Sequence, residues 1–164
     1  MSDTRAPNAS LLRITTVAIA TMAMAAIAAC ATAPRLQRLN PPALPPSRDL
    51  YTHVVVVEGG RLVFVAGEVA LDSAGGIVGA RDFRAQARQT YRNVERALRA
   101  AGAGWEDVVK TTTYVTDTRE LPALLEVRRE FIKGAPPPNT LLQVVKLARD
   151  ELLIEVDAIA VVRR

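Results

Sequence analysis

Residues 81–101 constrain the fold more than any other stretch. Phe83, Ala87, Tyr91, Val94, Leu98 and Ala101 recur there at helical spacing. At 100° per residue they fall within an arc of about 80°, so this helix has one apolar stripe. Gly102 follows as a stop. Such a stripe must be buried on a second layer, and the flanking sequence offers mainly β-branched runs for it. Residues 51–58 (YTHVVVVE) and 61–67 (RLVFVAG) are separated by Gly59-Gly60 and read as a hairpin. Residues 72–79 are turn-rich, and residues 108–116 (VVKTTTYVT) read as a third strand. Asp117 with Glu120 three residues on has the form of a capping box. Pro122 is tolerated in a first turn, so a second helix is expected to run to about Lys133. Pro136-Pro137-Pro138 then breaks the chain. Residues 140–147 and 152–162 read as two last strands around a turn at Ala148-Arg149-Asp150. The order β-β-α-β-α-β-β predicts an α+β domain with two helices packed on one face of a mixed sheet.

Composition limits the chemistry. One cysteine excludes an internal disulfide, and one cysteine with one histidine is too few for a zinc or iron site. No acidic loop of the calcium type appears. The net charge of +4 comes from Arg5, Arg13, Arg35, Arg38 and Arg48 against Asp3, so residues 49–164 are neutral. A neutral domain gives no support for nucleic-acid binding. Arg81, Arg84, Arg88, Arg92, Arg96 and Arg99 lie opposite the apolar stripe and read as a solvated helix face rather than a grip for phosphates. His53, beside four valines and without a cysteine or serine partner in view, reads as structural rather than as a base.

Residues 1–29 read as an export leader. Ile14 to Ala29 carries no charge, and Ile27-Ala28-Ala29-Cys30 resembles the lipobox of bacterial lipoproteins, in which Cys30 would be lipidated and become the new N-terminus. Ala31 after Cys30 points to the outer membrane if sorting follows Gram-negative rules. Two other readings stay open. Ordinary cleavage after Ala33 meets Pro34, which obstructs it, and an uncleaved inner-membrane anchor of 16 residues is short for about 30 Å of hydrocarbon. Residues 30–48 are expected to form a Pro-rich linker in extended, semi-rigid geometry that holds the domain off a membrane.

Several strings read together: VAGE at 65–68, AQARQTYRNV at 85–94, AAG at 100–102, DVVKTTTYV at 107–115 and IEVDAIA at 154–160. They resemble the RidA (YjgF/Yer/UK) family across nearly all of residues 51–162. The resemblance implies a chorismate-mutase-like fold and a homotrimer with three small-molecule clefts between subunits. It also implies cofactor-free hydrolysis of enamines or imines, such as 2-iminopropanoate, to keto acids and ammonia. Carried over by position, Tyr51 stands at the pocket tyrosine and Glu155 at the glutamate that positions water. Ala66 replaces a serine, Leu125 an asparagine, Leu141 a frequent cysteine, and Asn139 the arginine that grips the substrate carboxylate. An amide supplies one neutral bond where a guanidinium supplies two charged ones. Charged hydrogen bonds are worth roughly 1.5–3 kcal/mol against about 1, so affinity for a small imino acid should fall by one to two decades unless Arg128 or Arg129 reaches in. The implied functions are a diverged deaminase or a non-catalytic ligand-binding trimer, with ribonuclease activity the weakest reading.

Overall fold

Strand β6 (Ile154–Val162) organises the domain, because Ile154, Val156, Ala158 and Ala160 alternate inward and are almost fully buried. The computed structural model describes residues 35–162; the leader and Cys30 lie outside them. The described residues also form β1 (Arg35–Leu39), β2 (Val54–Glu58), β3 (Arg61–Val69), α1 (Phe83–Ala100), β4 (Val108–Val115), α2 (Leu121–Phe131) and β5 (Asn139–Gln143). The main sheet has the order β3-β6-β4-β5. β6 is antiparallel to both neighbours, while β4 and β5 are parallel, so the sheet is mixed. A parallel pair needs a crossover, and α2 supplies it. Both helices pack on one face, as the element order predicts.

The core forms where the α1 stripe meets the inward residues of the sheet. Phe83, Ala87, Tyr91, Val94 and Leu98 pack with Val63, Val65, Val108, Val115 and the β6 set, and Ala123, Leu124 and Val127 of α2 close the layer. Tyr91 stacks on Trp105, with ring centroids 5.3 Å apart, and lies 5.5 Å from Phe131. Polar brackets complete the seam. Gln86, fully buried, donates to the Glu151 carbonyl and accepts from the Leu153 N–H, both at 2.8 Å, fixing the entry to β6. Asn93 donates to the carbonyls of Val69 and Leu71 at 2.8 Å, binding the exit of β3 to α1.

Four local expectations need correcting. The hairpin is not formed: β2 pairs with β1, from Arg35↔Glu58 to Leu39↔Val54, and this ribbon is a separate two-stranded sheet. Part of the expected linker is therefore a strand. RLQRL contains no proline, so all its N–H groups are free to pair. Helix α1 starts two residues late because Arg81 has φ 65°, and Asp82 caps the first turn by accepting from the Ala85 N–H at 3.0 Å. Asp117 accepts from the Arg119 N–H and caps a short 3₁₀ turn, Thr118–Glu120, after which α2 begins.

The arginine face is only partly solvated. Arg84 pairs with Glu126, and Arg88 makes a two-pronged contact with Glu130 through Nε and Nη2 at 2.8–3.0 Å, so both tie α1 to α2. His53 is structural: its Nε2 donates to the Pro45 carbonyl at 2.8 Å and its backbone N–H to Asn40 Oδ1 at 2.9 Å. No described helix is long and apolar enough to cross a membrane.

Burial pushes the Tyr91 phenol up from 10.0 to about 12, while Arg128 and Thr113 beside it pull the other way. A folded-state value above the unfolded one stabilises the neutral phenol. That contribution is complete below about pH 10 and is lost as the pH rises towards about 12. Thermal melts at fixed concentration should fall more steeply with pH across that window in wild type than in Tyr91→Phe.

Candidate functional site

The inherited positions divide into two groups, and strand parity explains why. Directly opposed residues in a sheet share a face. Glu155 opposes Tyr114 of β4, and both point away from the helices. Asn139 opposes Thr111 and Leu141 opposes Thr113, whose side chains are buried under the helices. Glu155 and Asn139 therefore lie on opposite faces of one sheet. Ala66 is exposed on β3, at the edge opposite β5. Three strand spacings separate those edges, roughly 14 Å. A single copy does not bring these positions together, and three surface cavities of about 400–480 Å³ among the described residues are lined by other residues.

The Glu155 half is shaped by a glycine. β3 bulges between Val65 and Glu68, so its register with β6 shifts there. A Cβ on Gly67 would fall 1.9 Å from Glu155 Oε1, so only a glycine lets the carboxylate lie against the β3 backbone. Beside it, Tyr114 Oη contacts Asp157 Oδ2 at 3.4 Å, and Asp157 Oδ1 accepts from the Thr112 N–H at 3.2 Å. The Asp157 carboxylate is the main cause holding the Tyr114 phenol above its ordinary value. Lys110 donates to Thr140 Oγ1 at 2.6 Å and to the Thr111 carbonyl, and burial lowers its pKa.

The other half gathers at the β5 edge. Asn139 Oδ1 accepts from the hydroxyls of Thr111 and Thr113, both at 3.0 Å. The oxygen is thus engaged within the protein. Leu141 packs against the core, and Leu125 is half-buried on α2. Tyr51 precedes β2 in a segment anchored from both sides: Arg128 Nη2 donates to the Leu50 carbonyl, and Thr52 Oγ1 to the Pro136 carbonyl, each at 2.6 Å. Of the two arginines considered for the missing guanidinium, Arg128 is the one turned inward. It positions the Tyr51 segment instead of standing free, and desolvation lowers its pKa. Tyr51 also meets the His53 ring edge-on at 5.0 Å.

Gly67, Thr111 and Thr113 touch the candidate positions Glu155 and Asn139, and motif reading passes over them. The glycine inside a strand carried a signal for close approach; the threonines, ordinary strand formers, carried none. Among the described residues no cluster of His, Cys, Asp and Glu could hold a metal ion. Gly67→Ala should displace the Glu155 carboxylate, read as a shift of its side-chain carboxyl ¹³C resonance. Because only the end of a flexible side chain must move, the stability change should stay below about 1 kcal/mol.

A model of the family described as endoribonuclease L-PSP matches residues 43–162. A RutC family protein from Pyrococcus horikoshii is 33% identical over 104 residues, covering 63% of this chain and 82% of its own. The 2-iminobutanoate/2-iminopropanoate deaminase of Mus musculus is 31% identical over 111 residues, covering 68% of this chain and 80% of its own. A crystal structure of a conserved Rid family protein from Yersinia pestis superposes with a TM-score of 0.72 at 34% identity, covering 77% of this chain and 98% of that one. The strings carried by β3, α1, β4 and β6, the order of the elements and these matches agree, and the chain belongs to the RidA (YjgF/Yer/UK) family.

Proposed function

We propose that this chain is an exported, lipid-anchored hydrolase that removes ammonia from an imine or enamine in a cleft between the subunits of a homotrimer. The observation that carries this reading is the division of the site: Glu155 and Ala66 lie on the uncovered face of the sheet, whereas Asn139 lies on the covered face at the β5 edge, and the Tyr51 segment is held by Arg128 and the Pro136 carbonyl. A second copy would bring the halves together. The uncovered sheet face supports association, since Phe64 and Leu62 are 72% and 57% exposed on it. The similarity to the mouse protein named 2-iminobutanoate/2-iminopropanoate deaminase supports the reaction class.

In the reaction, Glu155 accepts a hydrogen bond from water and orients it at the C=N carbon. Water adds, its protons pass to nitrogen, the C–N bond breaks, and a carbonyl compound and ammonia leave. No cofactor takes part. The Asn139 amide favours a substrate without a free carboxylate, and Leu125 and Leu141 favour an apolar one.

A non-catalytic ligand-binding trimer is the second reading. The commitment of Arg128 to the Leu50 carbonyl favours it, because no cation then replaces the carboxylate grip that asparagine lacks at position 139. A neutral domain gives ribonuclease activity little support.

Imine generated in place by an amino-acid oxidase separates these readings through keto-acid release. Wild type should be active on apolar imines, Glu155→Ala should lose at least about 100-fold, and Asn139→Arg should gain on small imino acids by about tenfold. Phe64→Lys should lose both trimer sedimentation and turnover. Inactive wild type with active Asn139→Arg favours the binding reading, and a monomeric, active wild type overturns the shared cleft. Anchoring through Cys30 is checked separately: the full chain should enter the detergent phase, and Cys30→Ser should stay in the aqueous phase.

A further inference from the structure

Away from the inherited site, a cavity of about 480 Å³ opens between the end of β3, the turn after Leu71, and α1. Opposite charges line it. Arg96 on α1 is exposed, and its Nη1 donates at 3.1 Å to Asn93 Oδ1, which also accepts from Gln89 Nε2 at 3.1 Å. Asn93 is itself fixed by the Val69 and Leu71 carbonyls. Arg84, Arg88 and Arg99 of the same helix each have a carboxylate partner, in Glu126, Glu130 and Glu95. Arg96 has none within 4.0 Å among the described residues.

Glu68 lines the same cavity from β3, half-buried, and its carboxylate has no hydrogen-bond or ion-pair partner among the described residues. Burial raises its pKa, the mark of a carboxylate short of a cation. Asp72 also lines the cavity but forms no ion pair with Arg96, and its Oδ1 accepts from the N–H groups of Ala74 and Gly76. A guanidinium and a carboxylate thus share one cavity without touching, in a volume suited to a small metabolite.

We propose that this cavity is a second ligand site, for a small zwitterion whose carboxylate pairs with Arg96 and whose ammonium pairs with Glu68. A guanidinium matches a carboxylate through two parallel bonds, and the carboxylate of Glu68 accepts from an ammonium. Neither half of such a ligand alone replaces both missing partners.

The test titrates the isotope-labelled full chain with glycine, 4-aminobutanoate and 6-aminohexanoate, which differ in charge separation, and with acetate and methylammonium as half-ligands. At least one zwitterion should shift the amide signals of Ser73 and the Asn93 side chain saturably at millimolar concentration. Glu68→Gln and Arg96→Gln should each weaken that binding by about tenfold or more, and the half-ligands should bind more weakly. The proposal is overturned if no member of the series shifts these signals, if either variant binds as wild type does, or if acetate binds as tightly. Shifts confined to Glu155 and Asn139 also overturn it, by assigning the ligand to the inherited cleft. Wild-type mapping stands even if a variant fails to fold.

Discussion

The one-sided burial of α1 on β6 is the contact on which the rest of the domain depends. Leu98 and Val94 of the helix and Ile154, Val156 and Ala160 of the strand are all fully buried. β6 can occupy the middle of the sheet because its partners on both sides run antiparallel to it. Gln86 and Asn93, on the same helix, then fix the entry to β6 and the exit from β3. Buried side chains that satisfy backbone groups are costly to lose, at about 1–3 kcal/mol for each group left unpaired. The sheet is therefore held rigidly on its covered face, while its other face keeps Leu62 and Phe64 in solvent. An arrangement of that kind separates stability, built on one side, from recognition, available on the other.

Much of the architecture was legible because its signals are local. The α1 stripe, the triproline break and the β-branched runs each define an element without knowledge of its partners. Pairing is different. The four-valine run of β2 shows no alternation, so nothing in it selects β3 over β1. The prolines around residues 35–39 drew the whole stretch towards a linker, although RLQRL itself is a competent strand. Helix ends depended on one dihedral, at Arg81, that no pattern reveals.

Glu155 and Asn139 were located through family resemblance, not through any chemistry visible in their neighbours. Their placement on opposite faces follows from register, which emerges only when β4 is laid between β5 and β6. Asn139, which the resemblance sets at the place of a carboxylate-gripping arginine, also has a part inside the sheet. Asn139 Oδ1 joins β4 to β5 through two threonine hydroxyls, so the residue carries a structural task. Restoring a guanidinium there would remove that bracket as well as supply a cation.

The strand β1 alters what tethering would mean for this protein. A proline-rich spacer running to residue 48 would act as a stalk. With pairing already established at Arg35, only five peptide steps separate the ordered ribbon from Cys30, a reach of at most roughly 17 Å. A lipid on that cysteine would act as a short leash. The β1–β2 ribbon would then lie within headgroup distance, and Arg35 and Arg38, both exposed, would bring their charge to the bilayer surface as parts of a folded edge.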